Sequence, residues 1–203
     1  MVPRLLLTLG CCASLSSGGS VSEPGHNVTA VPTAAQLSFQ DQELSMFMHF
    51  GICTFAACEH NTGDVTRYPP TLFNPTSLDT DQWARSAAAM GAKEICLSVA
   101  HEGGFALWPS TVLASYSVRA SPWRSGKGDV VKDFVASCRS HGIKPCFYLA
   151  PPANGYLLRQ NSSADLYMQQ ITEMLTVRRT TRRASAFYAG LCLRAEAFGA
   201  RRG

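Results

Sequence analysis

The 203-residue chain is 46% hydrophobic and 16% charged, a balance that suits a buried core and excludes disorder along the whole length. Its net charge of +4 is unevenly held: residues 1–176 carry 11 basic and 13 acidic side chains, whereas residues 177–203 carry seven arginines and one glutamate. A slightly acidic body with an Arg-rich tail that lacks regular aromatic interleaving argues against a nucleic-acid partner.

Chain order begins with Arg4, the apolar run Leu5–Leu9 and a small-residue stretch through Ser20. That layout predicts a signal peptide over residues 1–20, too short for a membrane span, and therefore a secreted or extracellular protein. A polar, Pro- and Gly-containing linker follows over residues 21–35. Asn27-Val28-Thr29 and Asn161-Ser162-Ser163 are glycosylation sequons, while Asn74 is excluded by Pro75. Loss of the leader removes Cys11 and Cys12 and leaves six cysteines. Cys53 and Cys58 are close enough to pair locally; Cys96, Cys138 and Cys146 fall in strand-like runs or on an apolar helix face and read as buried thiols.

From Gln36 onward, strand and helix signals alternate. Met46–Gly51 reads as a short apolar strand, followed by a long loop with Glu59, His60 and Gly63. Asp79 caps a helix that carries Trp83, Ala87 and Met90 on one face and closes at Gly91. Glu94–Val99 is a second strand, and Asp129–His141 a second helix with Val130, Val131, Phe134, Val135 and Cys138 facing inward. Cys146–Ala150 is a third strand stopped by Pro151-Pro152, and a third helix runs from Ser163 or Asp165 to about Thr176. Successive βα units predict an α/β protein with a parallel sheet, whose loops emerge together at the carboxyl edge. A (β/α) barrel needs about 250 residues, so the chain supplies the first three or so of its units; a smaller three-layer sandwich is the alternative.

The stretch Ala100–Ser110 follows the second strand directly. His101 beside Glu102, then Gly103-Gly104, Phe105 and Trp108, reads as a pocket for a small polar molecule with an apolar face. His101 and Glu102 reach one ligand only where the strand has already ended, because neighbours on a strand face opposite ways. His49, His60 and His101 lack the compact spacing of a zinc site, and no cofactor is implied.

These strand ends resemble the amino-terminal part of the α-L-fucosidases of glycoside hydrolase family 29. The ordered motifs are His49-Phe50-Gly51 with Thr54-Phe55 and Glu59, Phe73-Asn74-Pro75-Thr76 with Asp81-Gln82-Trp83, Ala100-His101 with Gly104-Phe105, and Leu107-Trp108-Pro109-Ser110. Tyr116-Ser117-Val118, Ser121-Pro122-Trp123, Gly126–Val131 and Tyr148-Leu149 continue the series. The resemblance covers residues 36–176 and leaves 177–203 as an Arg-rich tail outside it. It implies a partial TIM-like (β/α) barrel, a secreted, lysosomal or vacuolar glycoprotein, and retaining hydrolysis of terminal α-L-fucose from a fucosylated glycan or small fucoside. It also implies that His49, His101 and Glu59 bind fucose hydroxyls and that Phe105 or Trp108 covers the ring; Tyr148 at the third strand end and Glu102, as a hydroxyl acceptor, are the further substrate-binding candidates.

The chain departs from that pattern at three places. Glu102 and Gly103 stand where the family carries a further His and an Asp, and His60 stands where it carries Trp. The family's nucleophile is an Asp at the end of the fourth strand, and no Asp follows Thr176, Glu196 being the only acid there. A chain cut short before its nucleophile is the expectation, with a fucose-binding remnant or a non-functional fragment as the alternative.

Overall fold

The computed structural model describes residues 31–59, 61–150, 155–160, 163–177, 185–188 and 191–194. The expected leader, both sequons, His60 and most of the Arg-rich tail lie outside the described residues. Five strands form one sheet in chain order: β1 (Ser45–Met48), β2 (Glu94–Ala100), β3 (Lys144–Leu149), β4 (Ser185–Tyr188) and β5 (Leu191–Arg194). The first four pair parallel, and β5 turns back antiparallel on β4. Strand order follows the sequence without the reversal that marks a doubly wound sheet.

Among the described residues six α-helices connect or precede the strands: α1 (Ala34–Gln40), α2 (Ile52–Ala56), α3 (Thr80–Ala89), α4 (Val130–Ser140), α5 (Gly155–Leu158) and α6 (Ser163–Val177). Short acceptors fix where the two central ones begin. Asp79 Oδ1 accepts from Gln82 N at 2.9 Å and Asp129 Oδ1 from Lys132 N at 2.8 Å, satisfying donors that a helix start leaves open. Thr33 and Gln36 form a reciprocal capping box on α1, the signal being a Thr three residues ahead of a Gln.

The main core lies between the sheet and the helices. Ile95, Leu97 and Val99 of β2 and Phe147 and Leu149 of β3 cluster with Val130, Val131, Phe134, Val135 and Cys138 of α4. Every second strand residue faces the helices, and each such large side chain removed from water contributes about 1.5–3 kcal/mol. α3 and α4 lie side by side, joined by Thr80 Oγ1 to Ser137 Oγ at 2.8 Å and by His141 Nε2 to Asp81 Oδ1 at 2.7 Å. His141 is thus an interhelical contact as well as a helix-end residue.

Four expectations need correction. Met90 is 60% exposed; α3 ends at Ala89 and turns away at Gly91, whose φ of 84° is in the left-handed region. Ala84 joins Ala87 on the buried face in its place. The loop after β1 holds a one-and-a-half-turn helix, α2, closed by a Cys53–Cys58 disulfide. Finally, the predicted elements end with the third helix in a parallel sheet, yet β4 and β5 follow it, and β5 breaks the purely parallel pattern. β4 pairs along the edge of β3, a contact between distant segments that local sequence does not reveal.

Candidate functional site

Parallel register places Phe47 opposite Cys96 and Ser98 opposite Tyr148, so the ends of β1, β2 and β3 stand side by side. His49 leaves the end of β1, and its Nδ1 lies 3.1 Å from Ser98 Oγ. Between Ser98 and Ala100 the pairing of β2 with β3 slips by one residue. Such a bulge re-aims the residues that follow it. The bulge carbonyl of Val99 accepts from Leu107 N at 2.9 Å, so the loop after β2 folds back over the strand end.

That bend puts His101 beside His49, with ring centroids 4.7 Å apart at 81°. Tyr148 approaches His101 at 6.1 Å, and Phe47 approaches His49 at 4.9 Å and Tyr148 at 5.4 Å. The side chain of Tyr148 therefore points to the face that carries both histidines, a direction that sequence alone leaves open.

A cavity of about 460 Å³ opens at these strand ends, lined by His49, Glu59, Asn61, Ser98, His101 and Phe105 among others. Its volume suits a small polar ligand. Phe105 is buried and makes ring contacts with Phe73 at 5.1 Å and Tyr116 at 5.5 Å. Glu59 stands at the exposed rim. Three of the expected residues lie outside that lining. Glu102 is exposed, and its backbone carbonyl accepts from Gly155 N at 3.1 Å. Tyr148 is half-buried beside His101. Trp108 is 3% exposed and donates its indole N–H to Glu173 Oε2 at 3.0 Å, away from the cavity.

Several residues that organise the site are absent from the sequence-based expectations. Asn61 is buried: its Oδ1 accepts from Gly63 N at 2.6 Å, and its Nδ2 donates to Tyr116 Oη at 2.8 Å. Asn followed two residues later by Gly is an Asx-turn signature that could have revealed it. A Cβ on Gly103 would meet the Asn61 side chain, so the glycine lets that loop close on the cavity. Ser98 is a polar residue in an otherwise apolar buried run, the pattern of a side chain with a specific partner.

Glu173 of α6 secures the far end of the β2 loop. Its carboxylate accepts from Trp108 Nε1, Ser110 Oγ at 2.6 Å, Thr111 N at 2.7 Å and Thr111 Oγ1 at 2.6 Å. Burial pulls this carboxyl upward, but the four donors outweigh it and hold it below the ordinary carboxylate range. No sequence signal links residues 62 or more positions apart, and this clamp is visible only in three dimensions. Among the described residues no three His, Cys, Asp or Glu side chains gather as a metal site, and no helix is long and apolar enough to cross a membrane.

An α/β sheet with a polar, aromatic-walled cavity at its carboxyl edge is the class of architecture that holds small polar ligands there, and comparison with known proteins gives its family. The model of the α-L-fucosidase family matches residues 25–188, and the chain belongs to that family. A rice (Oryza sativa subsp. japonica) relative whose name places it among the α-L-fucosidases is 39% identical over 189 residues, 87% of this chain and 35% of its own. α-L-Fucosidase 1 of Arabidopsis thaliana is 35% identical over 170 residues, covering 81% of this chain and 32% of its own. The crystal structure of a glycoside hydrolase 29 family member from an unknown rumen bacterium is similar at a TM-score of 0.66 and 38% identity, over 71% of this chain and 26% of its own. The chain thus spans about a third of the length of the curated relatives it matches. The family match ends at residue 188, beyond the boundary expected at Thr176.

Proposed function

We propose that this chain carries the sugar-recognising part of an α-L-fucosidase site, whose complete form hydrolyses terminal α-L-fucose with retention at the anomeric carbon. The observation that carries this reading is the convergence of His49, Glu59, His101 and Phe105 on one cavity at the strand ends. With Ser98 Oγ donating to Nδ1, His49 keeps Nε2–H as a donor toward a sugar hydroxyl. Glu59 at the rim accepts a hydroxyl hydrogen bond, His101 supplies a further polar contact, and Phe105 covers an apolar face of the ring. Glu102, Trp108 and Tyr148 act around this set: Trp108 by fixing the loop, Tyr148 by packing on His101, and Glu102 at the solvent side.

The sheet is proposed to be the opening portion of a (β/α) barrel, which its strand order supports. Retaining hydrolysis needs two carboxyl groups about 5 Å apart, one attacking the anomeric carbon and one protonating the leaving oxygen. β4 is followed by Ala189, Gly190, Leu191 and Cys192, with no acidic residue before Glu196. A chain of this sequence is therefore proposed to bind fucose without turning it over. Residues 1–20 are proposed to direct secretion and Asn27 and Asn161 to carry glycans, a route that the Cys53–Cys58 disulfide supports.

The test uses the 203-residue chain with an aryl α-L-fucoside and with L-fucose itself. Saturable L-fucose binding without aryl release is expected. Absence of any L-fucose binding, or turnover of the aryl fucoside by this chain, would overturn the reading.

A further inference from the structure

The face of the sheet opposite the helices carries a ladder of in-register pairs across β2 and β3: Glu94 with Lys144, Cys96 with Cys146, and Ser98 with Tyr148. Glu94 and Lys144 form an ion pair at 2.8 Å. One step along, Cys146 Sγ lies 2.7 Å from Cys96 Sγ, and both residues are buried. Adjacent strands run roughly 4.7–4.9 Å apart, inside the roughly 4.4–6.8 Å between Cα atoms that a disulfide spans. Register and a shared face therefore bring these two sulfurs together, both still thiols in this structure. Cys138 is separated from them, on α4 in the core across the sheet, where burial pushes its thiol up to about 12 and keeps it inert.

We propose that Cys96 and Cys146 form a second disulfide, a cross-strand staple between β2 and β3. It lies five residues before His101 and two before Tyr148, directly beneath the cavity. The oxidant is a small-molecule disulfide of the glutathione type. One cysteine thiolate attacks a sulfur of that disulfide and expels a glutathione thiolate, giving a mixed disulfide. The second cysteine thiolate then attacks the protein sulfur of the mixed disulfide and expels the other glutathione. Two protein thiols are oxidised, one glutathione disulfide is reduced to two thiols, and the two protons leave with them. Both cysteines are at most 4% exposed in the folded chain, so the bond forms during folding, before the pair is enclosed. The staple would hold the two strand ends that present His101 and Tyr148 at a fixed separation. It stands independently of the proposed sugar specificity, since it needs only the sheet.

Peptide mapping tests it. The full chain is refolded in a glutathione redox buffer, denatured, alkylated without reduction and digested with trypsin. Cys96, Cys138 and Cys146 then fall in three separate peptides, residues 94–119, 133–139 and 140–159. The expected product is a species joining the first and third peptides, two hydrogens lighter than their sum, with Cys138 alkylated. In Cys96→Ser, Cys146 becomes alkylated. Alkylation of both Cys96 and Cys146 in unreduced wild-type protein that has its Cys53–Cys58 bridge, or linkage of either one to Cys138, overturns the proposal. The wild-type map is decisive even if the serine variant fails to fold.

Discussion

The two faces of the same strands differ in kind. Toward the helices, β2 and β3 present Ile95, Leu97, Val99, Phe147 and Leu149, each at most 3% exposed and packed against α4. On the other face they present Glu94, Cys96, Ser98, Lys144, Cys146 and Tyr148, matched pair by pair across the strands. The helix face obeys volume and hydrophobicity, which many sequences can satisfy. The opposite face is built from specific partners, and it leads at its carboxyl end into the cavity. The packed apolar core is thus concentrated on one side of the sheet and the residue-specific pairs on the other, alternating residue by residue.

The sharpest test of that division is a pair of truncations. Phe134→Ala, in the helix-side core, should cost about 3–5 kcal/mol in denaturant unfolding through lost burial and a residual cavity. Phe47→Ala on β1, 51% exposed in the wild type, should cost less than about 1 kcal/mol by the same measurement. Equal losses would break the comparison. Next comes Lys144→Met, which leaves the Glu94 carboxylate buried without its cation. A loss of about 3 kcal/mol is expected, with much of it recovered in the Glu94→Gln, Lys144→Met double variant. Full additivity of the two substitutions would show that the pair is not coupled.

A smaller effect should come from the clamp at Glu173. Glu173→Gln should lower stability by about 1–2 kcal/mol at neutral pH, since the carboxylate is only partly shielded from water. Because the folded carboxyl is held below its ordinary value, the folded chain binds fewer protons than the unfolded one between the two values. The contribution is complete above the unfolded carboxyl's pKa of about 4.3 and is lost as pH falls through the lower folded value. Urea midpoints against pH should therefore converge for wild type and variant in acid; a constant gap would show that the ionised carboxylate is not what stabilises the loop.

Most of the helix-side core was legible in the sequence, because Ile95, Leu97 and Val99 alternate along β2 and α4 repeats its buried residues at helical spacing. Asp79 and Asp129 likewise announced their helix starts. The site was legible where a residue sits beside a recognisable break: His49 ahead of Gly51, and His101 ahead of two glycines. Trp108 shows the limit. An aromatic residue in a glycine-rich loop suits a ligand and a core equally well, and only its distant partner Glu173 decides that it holds the loop. The juxtaposition of Cys96 with Cys146 and the strands β4 and β5 depended on which chain segments become neighbours, which is a property of sheet register and not of local pattern.

The central claim is that the strand ends on the partner-matched face recognise fucose. Calorimetric titration of L-fucose into wild type, His49→Ala and His101→Ala, each first shown to keep its unfolding midpoint, tests it most directly. Each substitution should weaken binding by about 1–3 kcal/mol, the cost of leaving sugar hydroxyls unpaired. Unchanged affinity in both variants would contradict the assignment of this cavity.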